Sequence, residues 1–307
     1  MLKQLPYLGW WYARSLMGRK APLQSVIFLL DSCNLRCKHC SVYATATPHI
    51  KDMEQLRAEL EECYKAGSRF VDFEGGELYL WKDGDKTIDD VIDMAHEMGF
   101  WSATITTNAQ IPFTGSHADQ VWVSMDGIGS VHDQIRGHGV FARLEKNIKA
   151  FREGGAKTPL CVNMVINNVN YTNVAEAIQY VKDSPYINQI SLNFHTPFEA
   201  TEGLFLDPEK RNEVIDMIIG YKRRGYPIMN SVSGLKAMRM VDGKTLCTNR
   251  WCWVTNFIFA DGTRSPKCAG SLYEGVCDRC GFSMGGEMRS VFHLSPDTIF
   301  AGLKLRT

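Results

Sequence analysis

Residues 25–40 read SVIFLLDSCNLRCKHC and determine the architecture. The apolar run 25–30 has the length and composition of a buried strand. Cys33, Cys37 and Cys40 follow it, so three thiols lie on a loop at the carboxyl end of that strand. Cysteines at such short spacing are typical of metal ligation rather than of disulfides, and we expect a reducing, cytoplasmic compartment.

Three local thiolates could bind three irons of a cubane cluster. Clusters that only transfer electrons normally have four cysteine ligands, so a fourth iron would be left open for an exogenous ligand. The alternative is a zinc site with a distant fourth ligand such as His39.

Beyond residue 30, strand-like apolar runs alternate with segments whose apolar residues recur at three- and four-residue spacing. The predicted strands are 25–30, 69–74, 101–107, 120–125, 160–166 and 189–194. The predicted helices are 53–66, a segment that carries Ile88 to Ala95, 141–151, 173–181 and 208–222. Six strands alternating with helices predict a parallel sheet, either doubly wound or a partial barrel. Ligands of both folds bind at the carboxyl ends of the strands.

The length of 307 residues suits one large domain and a small one. We expect an N-terminal segment over 1–24, the barrel over 25–240 and a small domain over 241–307. The chain has 34 Lys+Arg and 34 Asp+Glu, and this balance argues against a nucleic-acid partner.

The segment 1–24 is aromatic and basic, with no acidic residue before Asp31. Its pattern predicts a short amphipathic helix. Such a helix can lie on a membrane surface, which would make the protein peripheral there, or it can accept a hydrophobic partner. The alternative is that the helix packs on the body of the protein.

A second group of cysteines lies near the other end of the chain. Residues 253–268 predict a β-hairpin that turns at Asp261-Gly262. Cysteines bracket and follow this hairpin, and their positions are Cys252, Cys268, Cys277 and Cys280. Four thiolates could saturate a second cubane or hold a structural zinc ion. Cys247 is an alternative ligand or a spare thiol.

Short polar motifs follow the next predicted strands in order. They are Gly75-Gly76-Glu77 after the second strand, Thr107-Asn108 at the end of the third, Ser124-Met-Asp126-Gly127 after the fourth, and Arg136 in His132-Asp133-x-x-Arg136-Gly137. With Cys-x3-Cys-x2-Cys after the first strand, this series resembles the radical S-adenosylmethionine (radical SAM) superfamily over residues 25–225. The chain departs from the usual motif in having Leu78 where many relatives have proline.

The resemblance implies an α/β fold, a partial (β/α)6 TIM-type barrel followed by a small hairpin-containing iron–sulfur domain of the twitch or SPASM kind. It implies a [4Fe–4S] cluster on Cys33, Cys37 and Cys40, and an auxiliary [4Fe–4S] cluster on the four cysteines of the second group. No cysteine follows Cys280, so one auxiliary cluster is expected rather than two. The residues that the resemblance assigns to S-adenosylmethionine are Gly75, Gly76, Glu77, Thr107, Asn108, Ser124, Asp126 and Arg136.

The implied activity is reductive cleavage of S-adenosylmethionine to a 5′-deoxyadenosyl radical, which abstracts hydrogen from a C–H bond of the substrate. The electron would come from a donor of the flavodoxin or ferredoxin type, and the outcome would be oxidation or bond formation. The alternative of another class is a non-catalytic electron carrier or a zinc-structured binding protein.

The substrate is the least determined part of the prediction. His195 and Glu199 follow the sixth strand, where we expect them to contact substrate or move protons. The aromatic, basic segment 1–24 favours a hydrophobic or lipid-like metabolite. A peptide and a sugar or small alcohol remain as alternatives.

Overall fold

The computed structural model describes residues 4–40, 48–246, 249–268, 270 and 275–304. Their strands are β1 (Gln24–Phe28), β2 (Phe70–Glu74), β3 (Ser102–Thr107), β4 (Gln120–Ser124), β5 (Leu160–Ile166), β6 (Gln189–Phe194), β7 (Met240–Val241), β8 (Lys244–Thr245), β9 (Thr255–Ile258) and β10 (Arg264–Ser265). Their α-helices are α1 (Leu5–Leu16), α2 (Met53–Ala66), α3 (Ile88–Glu97), α4 (Ser130–Arg136), α5 (Val140–Glu153), α6 (Val174–Asp183), α7 (Pro208–Arg223), α8 (Val232–Ala237), α9 (Ser283–Phe292) and α10 (Pro296–Lys304).

The main sheet has the strand order β10-β9-β1-β2-β3-β4-β5-β6. From β1 to β6 every neighbouring pair is parallel, and the order follows the chain without reversal. A doubly wound sheet reverses its order at a switch point, so this progression is that of a barrel wall. The partial barrel expected from the sequence is confirmed.

The two faces of the barrel wall differ in chemistry because side chains alternate along each strand. Ile27, Phe73 and Ile105 are buried against the surrounding helices in the main core. Asp72 and Thr104, which lie in register on neighbouring strands, face the concave side. Where β2 meets β3 the concave face is therefore polar, whereas Val26 on β1 and Phe257 on β9 lie in register with Asp72 and belong to an apolar cluster. The opposite face, buried against the helices, forms the main core that stabilises the barrel.

Local signals in the sequence fix where helix α2 begins and ends. The Asp52 side chain accepts a hydrogen bond from the amide of Gln55 at 2.8 Å, which satisfies a free N–H of the first turn. Gly67 ends the helix with φ +123°, a conformation that favours glycine. Both predicted boundaries are confirmed.

The predicted hairpin forms, with β10 antiparallel to β9 and Gly262 at φ +82° in the turn. Strand β9 also pairs in parallel with β1, where Phe257 lies beside Val26. No local pattern in the sequence indicates this pairing. The segment 241–307 therefore continues the barrel sheet at its β1 edge.

The same segment contacts the β6 edge. The amide of Phe194 donates to the carbonyl oxygen of Gly281 at 2.8 Å, and the amide of Ser283 donates to Oδ1 of Asn193 at 2.8 Å. Helix α9 then packs on α8. Helices α4, α8, α9 and α10 were not predicted. Two glycines at 285 and 286 make α9 a poor helix by propensity, and tertiary packing overrides this preference.

Helix α1 confirms the predicted N-terminal helix and docks onto the C-terminal part of the chain. Trp11 is buried in a cluster with Trp253, Val254 and Phe292. Leu16 and Met17 remain exposed. None of the helices in the described residues is long and apolar enough to cross a membrane.

Candidate functional site

The three-cysteine loop lies at the carboxyl edge of the barrel, directly against the turn that follows β2. Cys37 is buried, whereas Cys33 and Cys40 are partly exposed. The amide of Gly76 donates to the carbonyl oxygen of Leu30 at 2.8 Å, and that of Glu77 donates to the carbonyl oxygen of Ser32 at 3.0 Å. The main chains of the two loops are therefore paired just before the first cysteine.

Gly75 and Gly76 permit this close approach. A Cβ built on Gly75 would stand 2.5 Å from the carbonyl oxygen of Leu30, and one on Gly76 would overlap that of Ser32. The sequence resemblance assigns these glycines to cofactor binding, and that role remains a prediction. In the structure, the lack of side chains at Gly75 and Gly76 lets the turn after β2 pack directly against the cysteine loop.

Glu77 is buried and holds the end of β3. Its carboxylate accepts from Oγ1 of Thr107 at 2.7 Å and from the amide of Asn108 at 2.8 Å. Burial raises the pKa of Glu77, and these two hydrogen bonds act in the opposite direction. Glu77 thereby joins the turns after β2 and β3 into one surface.

Asn108 extends from this turn towards the cysteine loop. Its side-chain amide lies 3.7 Å from Sγ of Cys33 and donates to Oδ1 of Asn34 at 2.8 Å. The main-chain amide of Leu35 lies 3.4 Å from the same sulfur. Cys33 thus receives two N–H donors.

Asp126 and Arg136 form a buried ion pair beneath the loop. Nε of Arg136 lies 2.6 Å from Oδ2 of Asp126, and its Nη1 lies 3.8 Å from Sγ of Cys37. The amide of Val165 donates to Oδ1 of Asp126 at 2.9 Å. Burial alone would raise the pKa of Asp126, but the Arg136 guanidinium, His39, His132 and the amide of Val165 together outweigh it, so the pKa is lowered.

Burial raises the pKa of Cys37 to about 11, and the nearby positive charge of Arg136 opposes the increase. A metal ligand must be a thiolate, so this guanidinium favours the form of Cys37 that binds iron. Ser124, which the resemblance also assigns to S-adenosylmethionine, lies on the concave face in register with Asn163.

Two histidines surround Asp126. Nε2 of His39 lies 3.6 Å from its Oδ2, and Nδ1 of His132 accepts its main-chain N–H at 3.1 Å. Burial lowers the pKa of both histidines to about 4. The buried Nδ1 of His39 has no hydrogen-bond partner among the residues that the structure describes.

His195 lies at the end of β6 and is 3% exposed. Its Nε2 is 3.0 Å from Oγ1 of Thr201, and its amide donates to the carbonyl oxygen of Ile166 at 2.7 Å. Burial lowers the pKa of His195, so the neutral ring is favoured. The side chain of Glu199 lies outside what the structure describes. The catalytic roles of these two residues remain predictions.

The concave cleft contains a carboxylate pair that the sequence analysis missed. Asp72 and Glu74 are partly exposed there, and Oγ1 of Thr104 donates to Asp72 at 2.8 Å. Burial raises the pKa of both carboxyls. The alternation Val71-Asp72-Phe73-Glu74 was the available signal, because it puts both carboxyls on the face opposite Phe73.

The second cysteine group lies around the hairpin. Cys252 and Cys268 are buried, while Cys277 and Cys280 are partly exposed. A guanidinium nitrogen of Arg211 on α7 donates to the carbonyl oxygen of Cys280 at 2.7 Å, which fixes this end of the segment to the barrel. Cys247 lies outside the described residues. In the described part of the chain, no three Cys, His, Asp or Glu side chains converge on a single-ion site.

The donor set at the carboxyl edge fits an iron–sulfur cluster with a bound amino acid. Three thiols lie on one loop, two of them face N–H donors, and a buried guanidinium suits a carboxylate.

Comparison with known proteins agrees with this chemistry. The model of the Radical SAM superfamily matches residues 27–181. The sporulation killing factor maturation protein SkfB of Bacillus subtilis (strain 168) is 27% identical over 164 residues, 52% of this chain and 39% of that protein. The S-adenosylmethionine-dependent nucleotide dehydratase of Fibrobacter sp. (strain UWH6) is 24% identical over 57% of this chain and 56% of its own length. The matches thus span about half or less of these curated relatives.

Solved structures show the same fold. SuiB of Streptococcus suis bound to S-adenosylmethionine has a TM-score of 0.65 at 18% identity and covers 94% of this chain and 68% of its own. SuiB bound to its precursor peptide SuiA has the same TM-score at 17% identity, covering 96% and 70%. The family match covers half of the chain, and members of this family are enzymes that use a [4Fe–4S] cluster and S-adenosylmethionine. The chain belongs to the radical SAM superfamily.

Proposed function

We propose that Cys33, Cys37 and Cys40 hold the [4Fe–4S] cluster and that the chain cleaves S-adenosylmethionine reductively in order to oxidise a substrate in the concave cleft. The observation that carries this proposal is the convergence of the cysteine loop with Gly76, Asn108 and Arg136 at one edge of the barrel. Residues that follow three strands meet there with Arg136 from the end of α4, at the edge of the barrel where ligands of this fold bind.

When bound, the reduced cluster and S-adenosylmethionine supply a 5′-deoxyadenosyl radical that abstracts hydrogen from a C–H bond. The chain's own residues have binding and positioning roles. Main-chain groups of the Gly75–Glu77 turn meet the methionine amino group, and Arg136 retains N–H groups for its carboxylate. Ser124 and Asp126 are the residues proposed for the ribose, with Thr107 and Asn108 beside the cofactor.

Radical SAM enzymes need a reductant, and we propose a small electron donor of the flavodoxin or ferredoxin type. The partial exposure of Cys33 and Cys40 supports direct access to the cluster from this side of the loop.

The substrate that the cleft suits best is a peptide with a polar side chain. Asp72 and Glu74 favour a hydrogen-bond donor or a cation, and Asn163 and Asn193 add further polar groups. A lipid chain would take the two carboxyls out of water without supplying further hydrogen-bond donors, which is costly. The names of SkfB and SuiB, which refer to maturation and to a precursor peptide, add support. We propose that His195, at the end of β6, contacts the substrate or moves a proton.

A hydrophobic or lipid-like substrate is the second candidate, because α1 leaves Trp10, Leu16 and Met17 exposed beside basic residues. Flotation with vesicles of anionic phospholipid tests whether α1 binds a membrane surface. If it does, the parent chain should float with the vesicles. The variant Leu16→Asp/Met17→Asp should abolish such binding. Absence of binding by the parent chain would remove the support for a lipid substrate.

We also propose an auxiliary cluster on Cys252, Cys268, Cys277 and Cys280. It would accept an electron from a substrate radical, which favours net oxidation or bond formation. A structural zinc ion on the same thiols is the alternative, and metal analysis separates the two because one centre contains iron and the other zinc.

The decisive experiment measures 5′-deoxyadenosine released from S-adenosylmethionine by the anaerobically reconstituted chain with dithionite. We expect reductant-dependent release that Cys37→Ala abolishes. Cys63→Ala is the matched control, because Cys63 is buried on α2 away from the loop. No release by the parent chain, or equal release by Cys37→Ala, would refute the proposed function.

A further inference from the structure

Two side chains from different elements direct N–H groups at different sulfurs of the cysteine loop. Nδ2 of Asn108, after β3, is 3.7 Å from Sγ of Cys33. Nη1 of Arg136, at the end of α4, is 3.8 Å from Sγ of Cys37. The two donors therefore reach the loop from separate parts of the barrel.

Both donors are held in place by their neighbours. Asp126 is fully buried and accepts a hydrogen bond from Nε of Arg136 at 2.6 Å. This contact orients the guanidinium so that Nη1 points at Cys37. Oδ1 of Asn108 accepts the amide of Gln110 at 3.0 Å, which leaves its Nδ2 directed towards the loop. The donor directions are thus set by the fold before any ligand is present.

Hydrogen bonds and positive charge at cluster sulfurs stabilise the reduced, more negative state of an iron–sulfur cluster and raise its reduction potential. We propose that Arg136 and Asn108 are positioning residues that set the reduction potential of the three-cysteine cluster through Cys37 and Cys33. This inference rests on the proposed assignment of that cluster.

Arg136 and Asn108 should shift the reduction potential by different amounts. Arg136 carries a full charge in a buried site, where charge interactions are screened little, whereas Asn108 offers only a dipole. The role of Arg136 towards the carboxylate of S-adenosylmethionine concerns bound cofactor, so a potential measured without the cofactor does not depend on that role.

The test is a redox titration of the full, anaerobically reconstituted chain, followed by electron paramagnetic resonance. The signal of this cluster is identified by its change on adding S-adenosylmethionine, and the titration is then done without it. We expect Arg136→Gln to lower the reduced-to-oxidised ratio at a fixed potential at least tenfold, which is about 59 mV for a one-electron couple. Arg136→Lys should restore part of the ratio, because it keeps the charge.

Asn108→Asp replaces the donor by an acceptor of similar shape and should also lower the ratio. Arg143→Gln is the matched control, because Arg143 is exposed on α5 and solvent screens its charge. The iron content of every variant is measured. If Arg136→Gln does not bind the cluster, the reduction potentials of Arg136→Lys and Asn108→Asp test the inference instead. An unchanged potential in the loaded variants would overturn the inference. A parent chain with no cluster that responds to S-adenosylmethionine would instead overturn the proposed function.

Discussion

The amide of Glu77 donates to the carbonyl oxygen of Ser32 at 3.0 Å, one residue before the first cysteine of the loop. This hydrogen bond draws Gly76 so close to the loop that no side chain fits between them. The position of the three thiols therefore depends on a glycine in another loop, more than forty residues further along the chain.

We predict that Gly76→Ala displaces the cysteine loop, because the new Cβ meets backbone that has no flexible end to move. Overpacking of this kind costs about 1–3 kcal/mol. Both the melting temperature and the iron content after anaerobic reconstitution should be lower in Gly76→Ala than in the parent chain. Gly203→Ala is the control, since a Cβ there meets nothing within 4 Å. Full iron loading of Gly76→Ala would contradict the assigned role.

The docking of α1 gives a second prediction. Phe292 stacks on Tyr12 and Trp251 at centroid distances of 5.3 and 4.2 Å and is 9% exposed. Phe292→Ala should destabilise the chain by about 3 kcal/mol, because it removes the ring that joins α1 to α9. Thermal unfolding and limited proteolysis of α1 measure the effect.

Phe300→Ala is the matched control for this substitution, because Phe300 is 64% exposed. Its melting temperature should equal that of the parent chain. If both variants behave alike, the aromatic cluster does not hold α1 in place.

Periodicity predicted the barrel strands and most of its helices, because the apolar face of each element repeats regularly. Strands β5 and β6 were predicted to the residue. Helix α9 escaped prediction because its glycines satisfy a packing constraint rather than a local preference. Pairing of β9 with β1 joins residues more than two hundred positions apart, and no local pattern carries that information.

The candidate site, too, could be predicted from the sequence only in part. Spacing predicted the three cysteines as metal ligands, and the family resemblance supplied the polar residues at the strand ends. The sequence could not show that both oxygens of the Asp126 carboxylate accept hydrogen bonds from protein donors, Arg136 and the amide of Val165. Such partners come from separate strands and a helix, and only the folded chain brings them together.

The auxiliary-cluster proposal predicts an iron count. Reconstituted parent chain should contain about eight irons, and Cys277→Ala about four. The variant should still release some 5′-deoxyadenosine but form no product. Cys161→Ala serves as the control, because Cys161 is buried in β5. Equal iron in Cys277→Ala and in the parent chain would exclude Cys277 as a ligand.

The carboxylate pair of the cleft predicts a pH dependence of stability. Burial raises the pKa of Glu74 from 4.5 to about 8, and the charge of Asp72 adds to this. Between these two values the folded chain holds a proton that the unfolded chain has lost, so this contribution to stability falls as the pH rises through the window. We therefore expect Glu74→Gln to have little effect near pH 4.5 and to stabilise the chain increasingly towards pH 8, by up to about 1.4 kcal/mol for each pH unit in this window. Unfolding of anaerobic parent and variant protein across this pH range measures the difference. Glu97→Gln is the control, because Glu97 is exposed at the end of α3. Parallel pH profiles for Glu74→Gln and the parent chain would show that Glu74 is ionised in the folded cleft.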